Sequence, residues 1–383
     1  MNNTTKFCTL GAFQKGYEEI HGPLSLSVCV FGSIANILNI CVLATKEMRW
    51  PTNLILTGLA VADLLVMLEY IPFSYLRYFD LDSRKTIAHY SYSMAAFTMF
   101  HAFFSQLFHF IAVCLTVILA VWRYLAITSP HNSRYWCDVT KTVYVIIFTY
   151  LACPLVCLPL LISLKLEAFN QTCDSTGRIF NNKTDLLQPN ETYNEATLYV
   201  TQYSTQDYAN ISFWLYGVVI KLVPCILLTH LSCKLILKLL ETKKRKNKLL
   251  HRDVPMKVVG EAKPMVTATR KKDRQADRTS GMLVAVLLLF LITEFPQGIL
   301  GLLGAINGKL FQIECYNPLG DVMDILALTN SGINFILYCT MSRQFRTTFQ
   351  EVFRLKHLLR FNPFSHYTNG IDKTQEKTQI SAV

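Results

Sequence analysis

The sequence predicts an all-α membrane protein, a seven-transmembrane helix bundle with its N-terminus outside and an amphipathic helix at the inner membrane surface. Three observations carry this expectation. Of 383 residues 51% are hydrophobic and 16% charged, with a mean hydropathy of +0.29, too apolar and too long for one soluble core of ordinary make-up. Seven apolar runs of bilayer-spanning length recur, at about 23–45, 53–78, 94–127, 142–166, 209–240, 281–306 and 319–341. Charge and glycosylation triplets then fall on opposite sides of this pattern. Between Lys243 and Arg278 stand 13 Lys/Arg against 4 Asp/Glu, a local +9 of the formal +11, and positive loops stay cytoplasmic. Seven spans place the N-terminus outside, where the Asn-x-Ser/Thr triplets at Asn2 and Asn3 lie. Those at Asn170, Asn182, Asn190 and Asn210 fall in or beside the fourth-to-fifth connection, on the same side. A multi-pass, glycosylated protein of the plasma membrane is expected. Because the basic excess is one loop, a nucleic-acid surface is not.

The expected segments are an extracellular tail over 1–22, the bundle over 23–341, a membrane-surface helix over 342–355 and a disordered cytoplasmic tail over 356–383. Within the bundle lie a long extracellular loop, 167–207, and a basic cytoplasmic loop, 241–280, which either selects a partner or meets anionic lipid. No run is followed by a small-residue cleavage site, so no cleaved signal peptide is read.

The first span, GSIANILNICVL, has Asn36 and Asn39 as its strongly polar groups. The second, NLILTGLAVADLLVMLEYIPF, carries Asp63 and Glu69 in mid-span, where an unpaired charge costs several kcal/mol, so both are expected to face the bundle interior. Pro72 should kink or end regular hydrogen bonding. On the third, His101, Ser105, His109, Ala112, Thr116, Ala120 and Arg123 step by three or four and share one helix face. At ~1.5 Å per residue the stripe from His101 to Arg123 covers roughly 33 Å, about the hydrocarbon thickness of a bilayer. The fourth carries Pro154 and Pro159 and gives way to a polar stretch, either a lid over a cleft or a solvated flap. Lys221 in the fifth span and Glu294 in the sixth invite pairing; the alternative is that each snorkels or is neutralised separately. The seventh, LGDVMDILALTNSGINFILYCTM, is the most polar. After it, Phe345, Phe349, Val352 and Phe353 at helical spacing, flanked by Arg343, Arg346 and Arg354, suit a helix lying on the inner leaflet.

Twelve cysteines lie scattered without a Cys-x-x-Cys pair or zinc spacing, so neither metal nor cofactor is expected. Cys8, Cys173 and Cys315 face the oxidising side, and three cysteines permit one bridge. No HExxH or GxSxG appears, so an enzyme is not expected. A transporter or channel using the buried charges is the alternative from another class; an odd span count without half-to-half similarity argues against it.

These landmarks in this order resemble a rhodopsin-like (class A) G-protein-coupled receptor from about Pro23 to Leu355: Asn36 in GSIANILN, Asp63 in LAVAD, Arg123 in VWRYLAI, Pro224, Pro296 in EFPQG and Tyr338 in NSGINFILY. AVWRY, TEFPQG, NFILY and KLVPCILL together resemble the myosuppressin and FMRFamide-related neuropeptide receptors of invertebrates. The resemblance implies a receptor for an amidated neuropeptide, with another peptide or a small ligand as the alternative. It implies signalling to a heterotrimeric G protein, Gi/o favoured, with arrestin as a further partner. Glu69, His101, Ser105, Gln106, His109, Lys221, Glu294, Gln297, Asp321 and Asp324 would line an outer cavity. FMRFamide-type ligands end in arginine and an amidated phenylalanine. A carboxylate should meet that guanidinium in a bidentate, charge-assisted pair. Glu69 or Asp324 is the favoured partner, with Glu294 engaged by Lys221; the plain alternative is a polar network touching no ligand. Asn36, Asp63, Asn330 and Asn334 resemble the family's mid-membrane polar network, with Ala112 where a sodium-binding serine usually stands. Arg123, Tyr124, Asn334 and Tyr338 would serve activation and the G protein, unless Arg123 merely snorkels. Ser381-Ala-Val383 fits a PDZ-domain anchor.

The chain departs from the family pattern at four places. Trp122 replaces the acid beside Arg123, Glu294 the sixth-helix tryptophan, Phe335 the proline after Asn334, and Thr98 stands near the missing outer cysteine of the third helix. Cys173 therefore cannot make the family's usual bridge. It pairs with Cys8 or with Cys315, or those two pair and leave it free.

Overall fold

A computed structural model describes residues 7–79, 86–129, 135–179, 194–252 and 288–354. Asn2, Asn3, Asn182, Asn190, the basic loop from 253 to 280 and the tail with Ser381–Val383 lie outside the described residues.

Helix α1 spans Gly11–Leu43, so helix begins well before the expected span and takes in much of the tail. A short 3-10 turn, Lys46–Met48, leads to α2, Pro51–Ser74, which opens with proline at its first position, where a missing N–H costs nothing. Soon after Pro72, α2 loosens into a π turn, Tyr75–Phe79. Helix α3, Tyr92–Thr128, is capped by Ser91, whose hydroxyl accepts from the Met94 N–H at 3.4 Å. Asp138 caps α4, Val139–Ser163, accepting from Thr140 N–H at 3.1 Å.

The polar stretch expected as a loop is instead a two-stranded antiparallel sheet, β1 Leu164–Cys173 and β2 Asn194–Tyr203, in register from Leu164 opposite Tyr203 to Cys173 opposite Asn194. Its β-branched and aromatic run TLYVTQY suits a pleated, half-buried surface, and Leu198 within it is buried. The hairpin lies on α3, where Thr201 donates its hydroxyl to the Ala95 carbonyl at 2.6 Å. Outside the membrane, the Thr176 hydroxyl and the Arg178 and Thr176 N–H groups hold the Asp174 carboxyl below its ordinary pKa.

Helix α5 runs through Gln206–Trp214, a π-helical stretch Leu215–Leu222, and Val223–Arg252. Helix α6 covers 288–311, and a π turn, Gln312–Tyr316, joins it to α7, Asn317–Met341. By length and hydropathy, 288–340 reads as one 53-residue segment among six membrane candidates. It is two spans. Gln297 Nε2 donates to the Met323 carbonyl at 2.7 Å, whereas 26 residues on one straight helix would separate them by about 39 Å. The chain doubles back near Gly308, whose φ of +70° is open to glycine at no steric cost. Seven spans result, as the sequence predicts. Helix α8, Arg343–Val352, is capped by Ser342; the Arg346 guanidinium donates to the Cys339 and Thr340 carbonyls at 2.9 Å, satisfying the end of α7.

The core joins α1 to α4 through Leu43, Ile55, Leu59, Ile111, Leu115 and Cys153, and Phe345 of α8 inserts into it beside Tyr338. Large apolar side chains such as Phe148, Leu151 and Leu155 of α4 face outward, as a lipid solvent requires. Between α5 and α6 the backbones nearly touch: a Cβ on Gly217 would lie 2.7 Å from the Gly301 carbonyl carbon. Close approach at small residues replaces the hydrophobic drive that lipid does not supply between helices.

Candidate functional site

The predicted polar residues gather into three clusters stacked along the bundle. The outermost joins α1, α2, α3 and α7. His101 Nδ1 donates to Glu69 Oε1 at 2.7 Å, while Glu69 Oε2 is buried without a partner. The His101 ring stacks on Phe73 at 3.4 Å between centroids and meets Tyr70 edge-on. Tyr70 donates its hydroxyl to Asp324 Oδ2 at 3.3 Å, and Tyr78 donates to Asp321 Oδ1 at 2.7 Å. His21 Nε2 lies 3.1 Å from the Tyr70 hydroxyl. That hydroxyl has one proton; with it directed to Asp324, the imidazole is the donor to Tyr70. Sequence reasoning missed His21, Tyr70 and Tyr78. His21 falls just before the apolar run, and both tyrosines count as apolar in a hydropathy pattern; nothing in one dimension marks them.

The second cluster ties α3, α5 and α6. Glu294 Oε2 accepts from Lys221 Nζ at 2.6 Å and from His109 Nε2 at 2.9 Å, and its Oε1 has no partner. Burial is nearly complete, with Glu294 0%, Lys221 2% and His109 6% exposed. The structure thus pairs Lys221 with Glu294 and adds His109 as a third member. Lys221 sits at the end of the π-helical stretch, and such stretches rotate the residues that follow them relative to a regular helix. Gln297 bridges α5 to α7: Tyr216 donates to its Oε1 at 3.4 Å while its Nε2 reaches Met323. Ser105 and Gln106 of α3 lie half-buried between the two clusters in sequence, with Gln106 Oε1 unpartnered.

The third cluster is at mid-membrane. Asn334 Nδ2 donates to Asp63 Oδ2 at 3.1 Å, and Asn36 Nδ2 donates to the Gly32 and Ser331 carbonyls, each at 3.0 Å. A cavity here is lined by Asp63, His109, Ala112, Thr116, Asn330 and Asn334, so the third cluster adjoins the second at His109.

Toward the inner face, Arg123 is half-buried, its Nε lacks a partner, and it forms no ion pair among the described residues. Trp122 donates its indole N–H to Thr142 of α4 at 3.1 Å. Tyr124 is half-buried and Tyr338 buried. Phe335, without proline's break, leaves α7 helical through to Met341 and packs on Phe345 and Phe349.

Of the three outer cysteines, Cys8 and Cys315 are bonded, with Cα atoms 5.4 Å apart. Phe7 N–H donates to Glu314 at 2.8 Å and its ring meets Phe311, so the N-terminal segment is fastened to the α6–α7 turn. Cys173 is a buried free thiol donating to the Asn194 carbonyl at 3.2 Å. Asn170 lies exposed on β1, accepting from Thr197; Asn210 lies on α5, with Ser212 of its triplet buried against Ser163.

A family model described as serpentine type 7TM GPCR chemoreceptor Srw matches residues 23–356. The G-protein coupled receptor dmsr-1 of Caenorhabditis elegans is 32% identical over 356 residues, covering 88% of this chain and 68% of its own length. The sex peptide receptor of Drosophila melanogaster is 29% identical over 332 residues, covering 84% and 69%. The FMRFamide receptor of Drosophila melanogaster is 22% identical over 369 residues, covering 93% and 58%.

Proposed function

The chain belongs to the serpentine seven-transmembrane G-protein-coupled receptor family Srw, and from that premise we propose that it is a class A receptor for an amidated neuropeptide, FMRFamide-like or myosuppressin-like, coupling to Gi/o. Two of the Drosophila relatives carry the names of peptide ligands, sex peptide and FMRFamide, and support a peptide here.

One observation carries the choice of ligand chemistry. Among the described residues no lysine or arginine pairs with Glu69, Asp321 or Asp324, whose partners are His101, Tyr78 and Tyr70. Glu294, by contrast, already holds Lys221. A cationic ligand group therefore gains most at the outer cluster, and the terminal guanidinium goes to Glu69 or Asp324, with Ser105, Gln106 and Gln297 completing the cavity. The signal passes through the network of Asn36, Asp63, Asn330 and Asn334 to Arg123, Tyr124 and Tyr338, which meet the G protein. The protein resides in the plasma membrane with its N-terminus outside, glycosylated at Asn2, Asn3, Asn170, Asn182 and Asn190. Its cytoplasmic side serves arrestin and, at Ser381–Val383, a PDZ protein.

The test is a panel of amidated neuropeptides and their free-acid counterparts on cells expressing the chain, read by cyclic AMP and calcium. An arginine-phenylalanine-amide peptide should lower stimulated cyclic AMP, and its free acid should not. Silence to every such peptide, with a response to an amine or lipid, overturns the ligand assignment.

A further inference from the structure

Glu294 uses one carboxylate oxygen to hold two partners, Lys221 of α5 and His109 of α3, so a single buried anion joins three helices. Withdrawing His109 leaves Glu294 paired with Lys221 but short of a charge-assisted hydrogen bond in a site of 0% exposure, a larger penalty than losing a surface pair. The same region of α5 and α6 is already fastened: Gly217 and Gly301 meet backbone to backbone, and a Cβ on Gly298 would lie 2.9 Å from Leu222. Helices α5 and α6 are thus one packed unit in their outer halves, and His109 is the polar tie from α3 to it.

At the inner end of α3 the situation is reversed. Trp122 stands beside Arg123 and bonds to α4, and among the described residues Arg123 has no ion pair and no charged pair fastens this end of α3 to α6. Tyr338 meanwhile is buried, its ring against Phe345.

We propose that the His109–Glu294–Lys221 triad is the lock that keeps this receptor quiet, holding α3 to the joined α5–α6 pair from the membrane's middle. The helix arrangement in which all three side chains meet is favoured over any that separates α3 from α6, and basal signalling is set by how often the contact opens. The proposal rests on the receptor family alone and not on the ligand, because its readout needs no peptide.

The experiment measures ligand-independent G-protein activation in membranes, across all G-protein classes, divided by surface receptor counted on intact cells. His109→Phe removes the tie to α3 while leaving Lys221 and Glu294 paired; basal activation per receptor should rise by about fivefold, a shift typical of a switch element. His109→Gln, whose amide N–H reaches the same oxygen, should bring it back to within about twofold of the unaltered receptor. Glu294→Gln should raise it at least as far as His109→Phe. Should Glu294→Gln fail to reach the surface, the two His109 variants decide the matter. Equal basal activation for His109→Phe, His109→Gln and the unaltered receptor overturns the proposal, whatever the peptide panel shows.

Discussion

The Trp122 indole N–H donates to the hydroxyl of Thr142, 3.1 Å away, and thereby fastens α3 to α4 at the position where the family pattern has an acid facing Arg123. The residue that would restrain the arginine is spent on another helix. Trp122→Phe keeps the ring and loses the N–H, costing about 0.5–1.5 kcal/mol at a buried hydroxyl. The melting temperature of detergent-solubilised receptor should fall by about 1–3 °C, with ligand potency unchanged. A loss of potency at unchanged melting temperature would place Trp122 in signalling instead.

Glu69→Gln and Asp324→Asn should weaken peptide potency at least about tenfold, corresponding to ~1.4 kcal/mol. Concentration–response curves at matched surface expression check this. Unchanged potency in both variants sinks the guanidinium assignment.

Peptide mapping without reduction should recover Cys8 linked to Cys315 and Cys173 alkylated as a free thiol once the protein is denatured. Cys8→Ser should lower stability by about 2–4 kcal/mol, since the bridge closes a very long loop. Cys173→Ser should cost about 1 kcal/mol or less. A Cys173-containing disulfide in the native protein would contradict the arrangement of the outer face.

Gly301→Ala puts a Cβ 2.8 Å from the Gly217 Cα, and with backbone on both sides neither can yield cheaply. The α5–α6 seam must open, at about 1–3 kcal/mol. Thermal stability should fall and surface expression with it, whereas Gly320→Ala, with nothing within 4 Å, should be tolerated. Equal stability of the two would mean that the seam is not tight.

Much of the architecture is legible in one dimension because the bilayer imposes a length and a polarity on every crossing. The spans follow from that, and so does the inward placement of Asp63, Glu69, Lys221 and Glu294, since lipid forbids any other. The polar stretch after α4 reads as a loop because Asn, Thr and Glu dilute its alternation; the pairing of β1 with β2 supplies what composition hides.

The medium, the number of crossings and the charges that must face inward are readable from the order of residues alone. Who meets whom is settled in three dimensions. His109 joins Glu294 across 185 residues, Tyr70 finds Asp324 across 254, and Cys8 chooses Cys315 over Cys173 across 307. A helix's periodicity tells which face a residue occupies, but a partner on another helix depends on how the helices are turned and set in depth. Those are fixed by packing contacts such as Gly217 against Gly301, which no local pattern encodes.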